Sequence, residues 1–138
     1  MTAKLVLSVI WILSGALVVK LLGVWERLPD RVAVHFGMAM QPNGWSSKSG
    51  LAAIVLIAVL GQAALATFVL LRVGSAAGQI APVLVLVNFV LVSAFWQTLN
   101  YNVEGARFQP LWLFVPLILL FASLTLFTVK LMLDFYRH

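Results

Sequence analysis

The stretch LAAIVLIAVLGQAALATFVLL, residues 51–71, contains no charged side chain. A helix needs about 20 mainly apolar residues to cross a hydrocarbon core roughly 30 Å thick. This run is apolar on all faces, without the alternation that marks a lipid-spanning strand. A helix also satisfies its own backbone hydrogen bonds, which hydrocarbon cannot do. The stretch therefore reads as a transmembrane helix. Three further segments read the same way: Leu5–Val24, Ile80–Leu99 and Leu111–Leu133. The expected fold is all-α integral membrane: a four-transmembrane-helix bundle, one domain over residues 1–138, with one long surface-lying loop, residues 25–50, between helices 1 and 2.

Composition points the same way. The chain is 63% hydrophobic and 9% charged, with a mean hydropathy of +1.08. A soluble domain carries roughly a quarter charged residues. A lipid-facing shell removes that need. The net charge of +5 comes from cations scattered singly at span ends, not from a basic patch interleaved with aromatics, so nucleic acid is not an expected partner. There is no cysteine, which excludes disulfides, thiolate metal sites and cysteine nucleophiles. Lys4 and the triplet Ser14-Gly15-Ala16 resemble parts of a signal peptide. The apolar run continues past them to Val24, so the first span reads as a retained anchor.

Polar residues within the spans are few. Gln62 lies between Ala58 and Ala66 at helical spacing. Asn88 falls near the middle of the third span, and Ser93, Gln97 and Asn100 share one face of it. Interhelical hydrogen bonds are the favoured role, worth on average about 0.6 kcal/mol each, over a polar pathway. No acid lies mid-membrane, so a proton relay lacks its usual parts. Lys20 and Lys130 are placed to snorkel. Pro82 suits a first helical turn, and Pro116 either kinks the fourth helix or sits in its first turns. Gly74 and Gly78 have GxxxG spacing but fall in the turn Arg72–Gln79. Four spans put both termini on one side. The cations Lys4, Arg72, Lys130 and Arg137 balance Arg27, Arg31, Lys48 and Arg107, so charge sets no orientation.

The polar interlude LPDRVAVHFGMAMQPNGWSSK, residues 28–48, holds most of the chemistry. Trp25, Trp45 and, at the start of the fourth span, Trp112 favour the headgroup zone. Arg31–Phe36 alternates partly, as a short extended segment or an amphipathic one would. Pro42-Asn43-Gly44 is a turn signal, and Ser46, Ser47 and Ser49 offer N-caps for the second helix. His35 can bind a ligand carboxylate, bind a metal, or hydrogen-bond the loop itself. With no Cys, and with the C-terminal His138 as the only other His, it makes a poor metal site. The candidate ligand-binding residues are His35, Asp30, Trp45, Lys48 and Asn43, with headgroup anchoring the competing role for Lys48. No catalytic residues are expected: nucleophile–base pairs, phosphate loops and paired carboxylates are all missing.

The order Leu28-Pro29-Asp30, His35-Phe36, Pro42, Gly44-Trp45 and Ser47-Lys48 resembles a bacterial domain of unknown function. That domain forms the N-terminal part of the SdpI-like membrane proteins, which include immunity proteins against a sporulation-delay toxin. The family pattern runs roughly L-P-D-x-I-P-x-H-F-N, then G-x-P-D-G-W-G-S-K. Ala33 stands where the family tends to have Pro, Gly37 replaces Asn, and Met40 replaces Gly. The resemblance implies a bacterial inner-membrane protein with cytoplasmic termini, the motif loop outside, and a role in immunity or sensing.

The expected function is noncatalytic: recognition of a ligand or peptide through the 28–48 loop. The alternative is an accessory subunit of a larger membrane complex, contributing packing, lipid or pigment contact, and assembly. Expected partners are membrane lipids and a protein, either that complex or a second copy. A small dimeric transporter ranks lower, because the two halves show no convincing repeat. No cofactor is expected, since no His within the spans is available as an axial haem ligand.

Overall fold

The structure, a computed structural model, describes residues 3–37, 39–73, 77–107, 109 and 111–136. Four helices dominate: α1 (Ala3–Val24), α2 (Lys48–Arg72), α3 (Ala77–Glu104) and α4 (Leu111–Tyr136). A short 3₁₀ turn, Trp25–Arg27, ends α1, and two strands, β1 (Arg31–Phe36) and β2 (Pro42–Ser47), precede α2. The helices α1, α2 and α3 are long and apolar enough to cross a membrane, and α4 holds a shorter apolar segment, Phe114–Lys130. This is an all-α membrane architecture that carries one β-hairpin.

The lipid-facing character is plain on the surface. Large apolar side chains such as Ile12, Val19, Ile57 and Leu126 are exposed, Ile57 to 75%. In water, such area would cost roughly 25 cal/mol per Å²; in hydrocarbon it costs nothing. The helices α1, α2 and α3 pack on one another, and α4 packs on α3. The fourth helix is thus an outrigger on a three-helix core.

That core has two apolar clusters. One, at the hairpin end, includes Leu17, Leu21, Leu51, Val55 and Leu99; the other includes Val6, Ile10, Ala63, Ala66 and Leu70. Between them lies a polar knot. Asn88 Nδ2 donates to Ser14 Oγ at 3.0 Å and to Gln62 Oε1 at 2.8 Å, and Gln62 Nε2 donates to Leu84 O at 3.3 Å. Three helices are joined at one level by side chains whose burial in hydrocarbon requires partners.

Several expectations are corrected. The segment between α1 and α2, expected as a long surface-lying loop, holds an antiparallel hairpin packed on α2 and α3. Pro42-Asn43-Gly44 is strand, not turn. The reversal lies at residues 37–41, where Gly37 N donates to Gln41 O and Met40 N donates to Gly37 O, both at 2.9 Å. Met40 there adopts φ 55°. The third helix runs on to Glu104, past the expected end of its span at Leu99, so Asn100, Tyr101 and Asn102 are helical. The apolar run stops near Leu99, while backbone hydrogen bonding carries the helix on to Glu104. Pro82 and Pro116 sit in the second turns of α3 and α4. Ser47 caps α2, its side chain accepting from Gly50 N at 3.0 Å. Gly74 of the GxxxG pair, Arg137 and the Trp112 side chain lie outside the described residues and side chains.

Candidate functional site

The hairpin is irregular, and the irregularity shapes its exposed face. Pairing runs Ala33↔Trp45, His35↔Gly44, Phe36↔Pro42. One extra residue therefore falls on β1 at Val34 and one on β2 at Asn43. Bulges of this kind re-aim side chains and add twist. Here they offset each other and bring His35 beside Asn43, where His35 Nδ1 donates to Asn43 Oδ1. In the neutral ring that leaves Nε2 as an acceptor. Gly44 permits the approach: a Cβ there would lie 2.7 Å from His35 Cβ, inside any van der Waals contact.

Trp45 lies on the same exposed face, 48% accessible, with the Arg31 guanidinium 5.5 Å from its ring centroid. Such an exposed cation–π pair contributes about 0.5–1 kcal/mol. The outward face of the hairpin thus carries a cation, an indole, an imidazole and an amide.

Lys48 and Asp30 occupy the hairpin's base instead. Lys48 Nζ donates to Trp25 O at 3.3 Å and sits 5.0 Å from the Trp25 ring centroid, tying the start of α2 to the end of α1. Lys48 N donates to Asp30 O at 3.2 Å. The Asp30 side chain is exposed, and no hydrogen bond joins its carboxylate to the other four candidates among the described residues. Of the five sequence-nominated residues, the fold therefore gathers His35, Asn43 and Trp45, adds Arg31, and assigns Lys48 a structural tie.

Two residues that sequence reasoning missed hold the hairpin in place, both in the last turns of α3. Asn102 bonds both backbone groups of Ala33. Tyr101 meets Phe36 edge-on, ring centroids 5.1 Å apart. The available signal was the cluster of amides Gln97, Asn100 and Asn102 at the end of an apolar span.

Beside the hairpin, at the same end of α3, lies a cavity of about 360 Å³ whose lining includes Ser93, Trp96, Gln97, Asn100 and Arg107. Arg107 also lines a smaller opening with Met40, Gln41 and Tyr101 under the hairpin tip. Gln97 Oε1 accepts from Gln109 N at 2.6 Å, holding the α3–α4 connector over the cavity. Gln97 Nε2 is buried without a hydrogen-bond partner among the described residues. No cluster of three His, Cys, Asp or Glu suited to a metal occurs among the described residues.

No curated protein and no solved structure matches the chain. Residues 9–59 match the family model of a domain of unknown function, DUF1648, a span that takes in most of α1, the whole hairpin and the first half of α2.

Proposed function

We propose that the chain is a noncatalytic recognition protein of the bacterial inner membrane, with cytoplasmic termini. It binds an extracytoplasmic peptide through the outward face of the hairpin. One observation carries this reading. The hairpin is clamped to α3 through Asn102 while it turns Arg31, His35, Asn43 and Trp45 to the outside. A preorganised face of aromatic and hydrogen-bonding groups limits the entropy lost on binding, and Trp and Arg are frequent anchors in such interfaces. The likeness of the motif to the SdpI-like immunity proteins points to a peptide toxin as the ligand class.

The test is protection. The chain is expressed in a toxin-sensitive bacterium and challenged with the sporulation-delay toxin. Expression of the wild type raises survival, and the double variant His35→Ala/Trp45→Ala loses protection at equal membrane abundance. Equal survival with the variant rejects recognition by this face, and a wild-type chain without protection rejects the toxin as ligand.

A second reading, an accessory subunit of a larger complex, rests on α4, whose outer face exposes Ile118, Phe121 and Leu126 and which packs only along α3 among the major helix contacts. The native mass in mild detergent separates the two: a lone protomer or homodimer counts against the subunit role.

A further inference from the structure

The cavity at the C-terminal end of α3 does not stand alone. One turn away on the same face of α3 lies a separate, wholly apolar groove of about 470 Å³ between α3 and α4. On α3 the series Leu86, Phe89, Ser93, Gln97 and Asn100 advances by three or four residues per step, the spacing of a single helical stripe. Its lower members line the groove with Leu111, Val115 and Leu119 of α4. Its upper members line the polar cavity. An apolar groove next to a polar cavity on one helix face is the profile of an amphiphile.

Charge selects the head. Arg107 lines the cavity. Trp96, also in its wall, carries the Lys20 ammonium 4.5 Å from its ring centroid. Among the described residues no acidic side chain lines either compartment, and Glu104, the last residue of α3, lies outside both linings. Ser93 and Asn100 add neutral hydrogen-bonding groups. We infer that these two neighbouring compartments together bind one anionic phospholipid, its phosphate beside Arg107 and an acyl chain along the α3–α4 groove. The site is separate from the outward face of the hairpin and does not depend on the recognition role.

The purified full chain in mild nonionic detergent is incubated with phosphatidylglycerol or with phosphatidylcholine of equal chain length. Retained lipid is then read by native mass spectrometry. One phosphatidylglycerol is held, about fivefold more strongly than phosphatidylcholine, the weight of one cation near an anionic surface. Arg107→Gln removes the preference, Arg107→Lys keeps it, and Leu119→Trp, which fills the groove, lowers retention of both lipids. Inorganic phosphate does not displace the lipid. Equal retention of the two lipids by the wild type overturns the inference, as does an unchanged preference in Arg107→Gln. Displacement by inorganic phosphate would reassign the cavity to a free anion and also overturn it. Helical content and the thermal transition of each variant establish that it is folded.

Discussion

Asn102 grips Ala33 by both of its backbone groups. Ala33 N donates to Asn102 Oδ1 at 2.7 Å, and Asn102 Nδ2 donates back to Ala33 O at 2.9 Å. The same Nδ2 reaches Thr98 O at 2.8 Å, so the amide is anchored on its own helix while it holds the strand. The outer edge of β1 is thereby satisfied by a side chain where a larger sheet would place a third strand. An unsatisfied part-buried backbone group costs about 1–3 kcal/mol. Asn102→Ala is therefore expected to lower stability by that order and to release the hairpin. Amide hydrogen exchange across residues 31–36 provides the check: protection equal to the wild type would show that the clamp does not hold the strand.

Ala33 itself matters through its N–H. Proline, the residue that tends to stand at this position in the family that the motif resembles, has no such donor. Ala33→Pro keeps the carbonyl half of the clamp and removes the other half. A loss of about 1 kcal/mol follows, smaller than that of Asn102→Ala. Thermal unfolding of the two variants side by side tests the ranking, and the reverse order would refute the assignment of these two bonds.

Met40 turns the hairpin at φ 55°, a left-handed conformation that costs an L-residue roughly 1–2 kcal/mol. Glycine, common at this position in the resembling family, adopts it without strain but loses more freedom on folding. Met40→Gly is expected to raise stability by up to about 1 kcal/mol, and Met40→Val to lower it. A thermal transition that moves the other way in both variants would contradict the backbone conformation seen here.

Gly44 and His35 are coupled by contact. With its Cβ 2.7 Å from His35 Cβ, Gly44→Ala forces the strands apart and breaks the His35–Asn43 bond. Removing the opposing Cβ should relieve the clash, so His35→Gly in the Gly44→Ala background recovers part of the lost stability. A double-variant cycle measures the interaction. Strict additivity would mean that the two positions do not touch.

In the bilayer centre, Asn88 joins Ser14 and Gln62. Interhelical hydrogen bonds average about 0.6 kcal/mol each, so Asn88→Leu, which removes both, is expected to cost about 1 kcal/mol. Combined with Gln62→Leu, the loss should be less than additive because the two amides share a bond. Unfolding in mixed micelles reads both values.

The long apolar runs, with at most one lysine each, made the spans legible, because a bilayer imposes a length and an apolarity that few soluble segments meet. The alternation of Arg31–Phe36 and the serines before Lys48 were equally readable, since extended backbone and helix capping depend on residues a few positions apart. The stripe of Ser93, Gln97 and Asn100 could also be drawn from helical spacing alone, though its place in a cavity could not. Local turn chemistry misled at Pro42-Asn43-Gly44: Gly44 and Pro42 pair with His35 and Phe36 across the hairpin, and the reversal comes before them, at residues 37–41, with Met40 left-handed.

What the amino-acid order determined by itself is the set of apolar rods and the one polar interlude between the first two. Only the tertiary structure decided that the interlude is a hairpin, which of its side chains face outward, and that it rests on α3. The physical reason is distance along the chain. Solvent and helical periodicity act within a few residues, whereas the bonds between Ala33 and Asn102 span 69 positions and exist only once the helices between them have packed.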